Sequence, residues 1–463
     1  MNGGAAEGPP TAAPLLMAYY GDDFTGTTDS LEALTTAGIP AAMFLEPPAA
    51  SLLRERFPHI RAFGVAGVGR SLSPAEMARE LPPTFEALSR SGAPVVHYKL
   101  CSTFDSSPQL GSIGKAIDLA LETFGGQRYA PLLVGVPQLR RYTVFGQHFA
   151  AFGADVARLD RHPTMSAHPA TPMDEADLRL HLAKQTDKRI ALFSILDQDG
   201  SPERVARTFD ETLAGDPGIV LFDVLDEARL RAAGRLLARE AKRGVRFVAG
   251  SSSVQYALAA HWKESGELGA AASLLRPSSP VEQILVVSGS CSPVTESQIR
   301  HARSRGFTGI RVHPEFFLSD AEGARATILS QAEAVWRAGG SPLVYTALGG
   351  EGLNVGELKR LMREAGVASP DTGRLIGEQL GKVARAFVER CRPRRMIVAG
   401  GDTSGYVARA LGILGLECLT PIAPGGPLCL AHGAEAGVDG LELALKGGQV
   451  GQADYFERVR LGR

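Results

Sequence analysis

LLMAYYGDDFTGTTDS, residues 15–30, passes from an apolar run directly into two adjacent aspartates and a Gly-Thr-Thr segment. A short apolar run closed by a polar turn reads as a buried strand, and the stretch containing Asp29–Thr36 reads as a helix. Strand, polar loop and helix is the repeating unit of parallel α/β sheets, in which ligands gather at the carboxyl ends of the strands. The same alternation recurs down the chain. It predicts strands at Leu15–Tyr20, Ala41–Leu45, Ala62–Val65, Val95–Lys99, Leu132–Val136, Ile190–Ile195, Gly218–Asp223 and Arg246–Ala249, and further strands at Ile284–Ser288, Gly309–Val312, Leu343–Thr346, Met396–Ala399 and Cys418–Pro421. Helix starts are predicted at Thr171-Pro172-Met173-Asp174, a cap with Pro in the first helical position, and at Thr295-Glu296-Ser297-Gln298, which has the form of a capping box. The fold class is therefore α/β, with largely parallel sheets flanked by helices.

A chain of 463 residues exceeds what one hydrophobic core usually serves. Gly, Ala, Ser and Pro accumulate over residues 264–282, which sets a first domain at 14–265, a linker at 266–282 and a second domain at 283–463, after a disordered leader at 1–13. Lys and Arg number 49 against 50 Asp and Glu. With no broad positive field, nucleic acid and membrane are not expected as partners, and any anionic ligand needs a local site. Cys101, Cys291, Cys391, Cys418 and Cys429 form no C-x-x-C pair and read as reduced core thiols of a cytoplasmic protein. Neither a secretory signal nor a membrane span is expected, since the first 53 residues lack Lys and Arg and no apolar run approaches the roughly 20 residues of a membrane helix.

Three constellations could carry chemistry. In the first, Gly21–Asp29, successive residues of an extended chain point to opposite sides, so Asp22 and Asp23 cannot both face one ligand atom. One aspartate faces the substrate and the other supports the loop; the bland alternative is that one of them merely caps the following helix. The second, Val95–Ser107, ends a strand in Lys99 and follows it with Ser102, Thr103 and Asp105, a cation and several donors for an anionic, hydroxylated small molecule. The third is a set of glycine-rich turns: Ser288-Gly289-Ser290-Cys291-Ser292, Ala399-Gly400-Gly401-Asp402-Thr403-Ser404-Gly405, Pro424-Gly425-Gly426-Pro427 and Lys446–Gly451. A strand, a Gly/Ser turn and a helix N-terminus together hold phosphate through unpaired N–H groups and the helix dipole. Neither a P-loop nor a G-x-G-x-x-G fingerprint is present. His97, on a buried strand, reads as a hydrogen-bonded core residue. His162 and His168 flank a loop, Arg161–Pro172, that either folds over the substrate or is an ordinary connection, and Trp262 and Trp336 read as helix-face packing.

The ordered series Gly-Asp-Asp-Phe-Thr-Gly, Lys-x-x-Ser-Thr, Ala249-Gly250-Ser251-Ser252, Ser-Gly-Ser-x-Ser, Gly-Gly-Asp-Thr-Ser and a terminal Lys-x-Gly resembles the four-carbon acid sugar kinase family over residues 15–460. The resemblance implies an acid-sugar-binding domain and a nucleotide-binding domain with the active site in the cleft between them, ATP and Mg2+ as cofactors, and phosphoryl transfer to a hydroxyl of a four-carbon aldonate or a 3-oxo or branched relative. It assigns Asp22, Asp23, Thr25, Gly26, Lys99, Ser102, Thr103 and Arg141 to the substrate side. Ser290, Ser292, Gly400, Gly401, Asp402, Thr403, Lys446 and Gly448 fall on the nucleotide side. Asp23 is taken as the group that accepts the hydroxyl proton and Asp22 as loop support; Lys99 and Arg141 are taken for the acid's carboxylate; the metal's protein ligands are not legible, and a homodimer is left open.

Two departures bear on substrate. Common members of the family read Lys-x-Asp-Ser-Thr-Leu-Arg-Gly where this chain has Lys99-Leu100-Cys101-Ser102-Thr103-Phe104-Asp105-Ser106, and Phe145 stands where an Asp is expected. A pocket with fewer hydroxyl acceptors points away from plain threonate and erythronate and toward a 3-oxo acid such as 3-oxo-tetronate or 3-oxo-isoapionate. An aspartyl-phosphate phosphatase is the rival enzyme, but its aspartates alternate whereas these are adjacent. A non-catalytic two-lobed metabolite sensor is the rival from another class, and it needs no glycine-rich second domain.

Overall fold

The structure, a computed structural model, describes residues 13–168, 170–268, 273–347, 360–361, 363–364 and 371–463. All but the last residue of the expected leader, and part of the expected linker, lie outside the described residues. The chain divides into two compact units, one of Met1–Asp22, Ala37–Ala42 and Glu46–Ala272, the other of Asp23–Thr36, Met43–Leu45 and Ser273–Arg463. The sequence reading has all of 14–265 in the first domain; in the structure the helix Phe24–Thr36 belongs with the second unit.

The first unit contains β1 (Met17–Gly21), the first half of β2 (Ala41–Phe44), β3 (Ala62–Ala66), β4 (Val95–Lys99), β5 (Ala130–Leu133), β6 (Arg141–Val144), β7 (Gln147–Phe152), β8 (Asp155–Arg158), β9 (Ile190–Phe193), β10 (Ile219–Phe222) and β11 (Phe247–Gly250); Met43 and Phe44 of β2 belong to the second unit. The order β3-β1-β4-β11-β5-β10-β9 is parallel throughout. Strands β1, β3, β4, β5, β10 and β11 are buried along their whole length, which is why they read as unbroken apolar runs. Tyr20 stacks on Tyr98 at 5.8 Å, with Phe85 edge-on to both. The small antiparallel sheet β6-β7-β8 was not predicted. Its strands are short and mostly half-buried, so they carry no continuous apolar signal.

The second unit contains β12 (Leu285–Ser288), β13 (Phe307–Arg311), β14 (Ser341–Tyr345), β15 (Arg395–Ala399), β16 (Ile413–Ala423), β17 (Gly426–Gly433) and β18 (Glu442–Lys446), in the order β13-β14-β12-β15-β18-β17-β16. The first five in that order are parallel, so the α/β expectation is borne out. β17 runs antiparallel to both β18 and β16, and Met43 and Phe44 of β2 pair antiparallel with Leu416 and Gly415. The Pro424–Pro427 segment is accordingly a hairpin turn, with Ala423 opposite Gly426 and Gly425 at φ 74°, and not a fourth phosphate loop.

Both predicted helix starts move. Thr171 gives its amide and hydroxyl to His168 Nδ1, and the Met173 amide goes to Met165 O, so that segment is a tied turn. The helix begins at Leu178 with Asp177 as its cap. Ser292 caps the helix Pro293–Ser304, with Pro293 in its first turn, which leaves Thr295 and Gln298 inside the helix and free of a capping role. All five cysteines are free; Cys418 and Cys429 are buried, but Cys291 is exposed, contrary to the expectation of a core thiol.

The helix Phe24–Thr36 buries Leu31, Ala33 and Leu34 together with Thr27, Thr28, Ser30 and Thr35. Its small polar residues admit close packing: Thr28 Oγ1 donates to Gly425 O at 3.4 Å, and the Gly425 amide donates to Glu32 Oε2 at 3.1 Å. Burial, and secondarily the charge of Asp29, push the Glu32 carboxyl up to about 8 against the pull of that amide. The folded state therefore holds a proton that the unfolded chain releases at ordinary carboxylate pH, and stability present below about pH 4.5 is lost as pH rises toward 8. Glu32→Gln keeps an acceptor for Gly425. Its melting temperature is expected to exceed the wild type's by about 2–4 °C at pH 8 and to match it at acid pH, as calorimetry at the two pH values would show; a constant offset between them would contradict the assignment.

Candidate functional site

Within the second unit, three turns meet at the carboxyl ends of β12, β15 and β18. A Cβ built on Gly289 would stand 2.3 Å from Thr403 Oγ1, and one on Gly448 would stand 2.7 Å from Ser290 Oγ, so the Ser288–Ser292, Gly400–Thr403 and Gly447–Gly448 segments touch. Gly400 has φ 120° and precedes the helix Gly401–Ala410, whose first amides therefore open on this junction. Thr25 joins it, since a Cβ on Gly447 would lie 2.9 Å from Thr25 Oγ1. At Gly401 a Cβ meets nothing nearer than Thr25 Oγ1 at 3.9 Å; the protein's own packing does not demand a glycine there.

Behind these turns lies Lys446, 1% exposed. Its carbonyl accepts from the Gly400 amide at 2.9 Å, and its Nζ donates to Thr295 Oγ1 at 3.1 Å. Thr295 Oγ1 in turn donates to Gly448 O at 2.8 Å, and Gln298 Nε2 donates to Val450 O and Gln452 O. The residues read as a capping box thus tie down the Lys446–Gly451 turn. Burial draws the Lys446 ammonium down to about 7.

Asp23 caps the helix Phe24–Thr36: its Oδ1 accepts from the Gly26 amide at 2.8 Å, and its carbonyl accepts from Thr27 N and Oγ1. The bland reading of this residue holds for one carboxylate oxygen. Asp402, in the first turn of its helix, is raised by burial and then by the charge of Asp23, which places two carboxylates near each other beside the glycine turns.

In the first unit, Asp22 continues the β1 ladder, its amide donating to Lys99 O at 2.8 Å. Its side chain, 2% exposed, takes Arg70 at 2.8 and 3.4 Å. Arg70 also stands 3.8 Å from Asp105. Asp105 accepts from Thr103 Oγ1 at 2.6 Å, and Thr103 Oγ1 lies 2.9 Å from Cys101 Sγ. Burial, reinforced by Asp105, pushes the Cys101 thiol up to about 11, so it is an inert thiol. Lys99 is buried and donates to Leu100 O at 3.0 Å. Arg141, at the start of β6, gives Nη1 to Leu139 O at 3.0 Å and to Arg140 O at 3.3 Å, while its Nε is buried with no hydrogen-bond partner. Burial lowers its pKa against the raising effect of Cys101 and Asp105, so Arg141 shares their neighbourhood. Ser102 O accepts from His148 Nε2 at 2.8 Å.

The structure thus gathers Asp22, Lys99, Ser102, Thr103 and Arg141 in the first unit, and Asp23, Thr25, Gly26, Ser290, Ser292, Gly400, Gly401, Asp402, Thr403, Lys446 and Gly448 in the second. The remaining candidates are occupied structurally. His97 pairs with Gly250 O and Gln255 Nε2, and burial lowers it to about 3. His162 Nδ1 accepts from the Thr164 and Met165 amides, and His168 Nδ1 is the acceptor described above. Phe145 is about half exposed, and its amide and that of Gly146 donate to buried Asp223. Sequence reasoning missed Arg70. It lies in the turn Gly69–Ser71 shortly after β3, at the carboxyl end of a parallel strand, and the rule applied to residues 21–29 would have found it.

The comparisons with known proteins also divide the chain in two, but they assign Asp23–Thr36 to the first part. A model of a sugar-binding N-terminal domain matches residues 17–258, and a model of a nucleotide-binding C-terminal domain matches residues 285–456. The chain is 46% identical to a 3-oxo-isoapionate kinase of Paraburkholderia graminis over 97% of this chain and 95% of that one. It is 28% identical to a 3-oxo-tetronate kinase of Pseudomonas savastanoi pv. phaseolicola over 97% of each chain. Among solved structures, a Haemophilus influenzae protein of a family described only as a domain of unknown function shares the fold, at a TM-score of 0.70 and 24% identity over 96% of this chain and 99% of that one. The protein is a two-domain α/β protein of the kind that pairs sugar binding with nucleotide binding. It belongs to the four-carbon acid sugar kinase family.

The two aspartates separate in a stability measurement. Asp22→Asn removes the charge from a buried partner of Arg70 and is expected to cost about 2 kcal/mol. Asp23→Asn retains an equally good helix cap and is expected to stay within about 0.5 kcal/mol of wild type. Chemical denaturation of the two variants checks the ranking.

Proposed function

We propose that the protein transfers the γ-phosphoryl group of ATP to a hydroxyl oxygen of a small acid sugar, releasing ADP, and that its preferred acceptor is a 3-oxo acid of the 3-oxo-isoapionate or 3-oxo-tetronate type. The observation that carries this reading is near-full-length similarity to a 3-oxo-isoapionate kinase in a chain whose second unit brings three glycine-rich turns together at helix N-termini. It is favoured over a phosphatase or a non-catalytic sensor.

Phosphoryl transfer asks the protein mainly for positioning and charge. The amides at Gly400–Thr403 and the Ser290 and Ser292 segment hold the phosphates, with Gly401 admitting them close to the backbone and Gly448 letting its turn pack on Ser290 and Ser292. Lys446 lends positive charge from behind the turn. Asp23 orients the acceptor hydroxyl and takes its proton. Thr25, Gly26, Ser102 and Thr103 serve the substrate's oxygens, and Lys99, Arg141 and Arg70 serve its carboxylate. The pairing of Asp402 with a nearby like charge suits a Mg2+ carried in with ATP, which when bound would neutralise phosphate charge; Asp402 is the residue that would hold it. Reduced thiols and ATP chemistry fit the cytoplasm.

A coupled assay across threonate, erythronate, 3-oxo-tetronate and 3-oxo-isoapionate tests the reading. The oxo acids are expected to give the higher kcat/KM, and a value for threonate or erythronate equal to that of every oxo acid would overturn the substrate assignment.

Asp23→Asn is expected to lower kcat by a factor on the order of 10²–10⁴ while ATP binding is nearly unchanged. Because the cap survives this substitution, a normal kcat would mean that Asp23 serves the helix alone.

A further inference from the structure

We infer that His148 and His181 are positioning residues for the acid sugar: each holds one end of the loop Ser102–Ser106, and the loop between them sets Thr103 and Asp105 beside Arg70. This rests on the kinase reading and deepens it.

The loop needs holding. Phe104 is fully buried and has φ 58°, in the left-handed region that a bulky side chain enters only at a cost. Such a conformation persists where the surroundings over-determine it, and residues held in this way gather at ligand sites. Here the constraints close on it from both sides. The Phe104 amide donates to Cys101 O at 2.9 Å, its carbonyl accepts from Ser106 Oγ at 3.0 Å, and its ring lies edge-on to that of His181, 5.7 Å away. The turn thereby fixes the direction of its neighbours: Thr103 Oγ1 donates to Asp105 at 2.6 Å, and Asp105 stands 3.8 Å from Arg70.

The two histidines supply the outer constraints, and hydrogen bonding fixes the tautomer of each. His148 is fully buried, with Nε2 at 2.8 Å from Ser102 O. A carbonyl can only accept, so Nε2 carries the proton and Nδ1 accepts from Thr143 Oγ1 at 3.0 Å. Burial draws His148 down to about 4, which keeps it neutral at physiological pH. At the other end, Ser106 Oγ spends its single proton on Phe104 O and accepts from Gln185 Nε2 at 2.9 Å. Its contact with His181 Nε2 at 3.1 Å is therefore a second accepted bond, with the proton on Nε2. Burial lowers the pKa of His181 as well. Gln185 is itself pinned, its Oε1 accepting from the Gly114 amide at 3.2 Å.

Thr143 and His148 sit opposite each other on β6 and β7, and His181 follows on the helix Leu178–Ala183. The small antiparallel sheet and this short helix act as a brace. They deliver two uncharged donors, which hold the loop without altering the balance of charge among Arg70, Lys99, Arg141, Asp22 and Asp105.

Three variants of the full chain test the inference, assayed with ATP and 3-oxo-tetronate or 3-oxo-isoapionate. His148→Phe keeps a ring and removes the donor to Ser102, Ser106→Ala removes the hydroxyl that His181 and Gln185 hold, and His148→Gln restores a donor at the reach of Nε2. His148→Phe and Ser106→Ala are each expected to raise the KM for the acid by about tenfold with the KM for ATP unchanged, and His148→Gln to recover most of that loss. Wild-type KM values for the acid in folded His148→Phe and Ser106→Ala proteins would overturn the inference and leave the kinase reading standing. So would an equal rise in the KM for ATP, or a His148→Gln protein no better than His148→Phe. Should His148→Phe fail to fold, Ser106→Ala decides by the same two KM values. A wild type that phosphorylates none of the acids would overturn the kinase reading and this inference with it.

Discussion

Two carboxylates joined by a single peptide bond repel each other, and each needs its own compensation. Asp22 finds it in Arg70, a close ion pair with the carboxylate almost wholly buried. Asp23 finds it in the first amides of a helix, where the unpaired N–H groups and the dipole favour negative charge. Much else is organised by this split. Because Asp22 remains on the β1 ladder, Arg70 is fixed beside Asp105; because Asp23 leaves the ladder to start a helix, Thr25 and Glu32 are delivered to the turns and hairpin of the second unit.

The same frame accounts for the two residues that depart from the family pattern. Asp105 looks from sequence like the loss of a cation. In the structure it is one end of a chain that runs from Cys101 through Thr103 to Asp105 and on to Arg70, so the cation is supplied from a different strand end. The local set is three cations, Arg70, Lys99 and Arg141, against two carboxylates, Asp22 and Asp105. An excess of one positive charge in a buried setting is suited to a ligand with a single carboxylate. Cys101 adds no acid to that balance, since burial holds its thiol protonated.

Most of the parallel core was legible because a strand buried on both faces leaves a continuous apolar run. The segments that escaped were those whose structure depends on distant partners. β6, β7 and β8 are held to the body through Thr143, which pairs with Val224, and His148, which reaches Ser102; nothing local marks them. Pro424–Pro427 resembled the other glycine turns because a hairpin and a phosphate turn use glycine for the same backbone freedom. Thr295 and Gln298 had the spacing of a capping box, but Ser292 and Pro293 came first in the chain and took the cap, which released both side chains to bind the Lys446–Gly451 turn. The residues proposed for the substrate side were read from local pattern, whereas Arg70 becomes visible only once β3 is placed next to β1.

The nucleotide end illustrates how burial prepares a site electrostatically. Lys446 is held by one hydroxyl, and desolvation brings its ammonium near neutrality at physiological pH; Asp402 is shifted the opposite way by burial and by Asp23. A phosphate at the turns favours the charged form of the lysine, and a cation arriving with it favours the charged form of the acid. How deeply Lys446 is set, at 1% exposed, is a property that no short motif around Gly400 and Gly401 encodes.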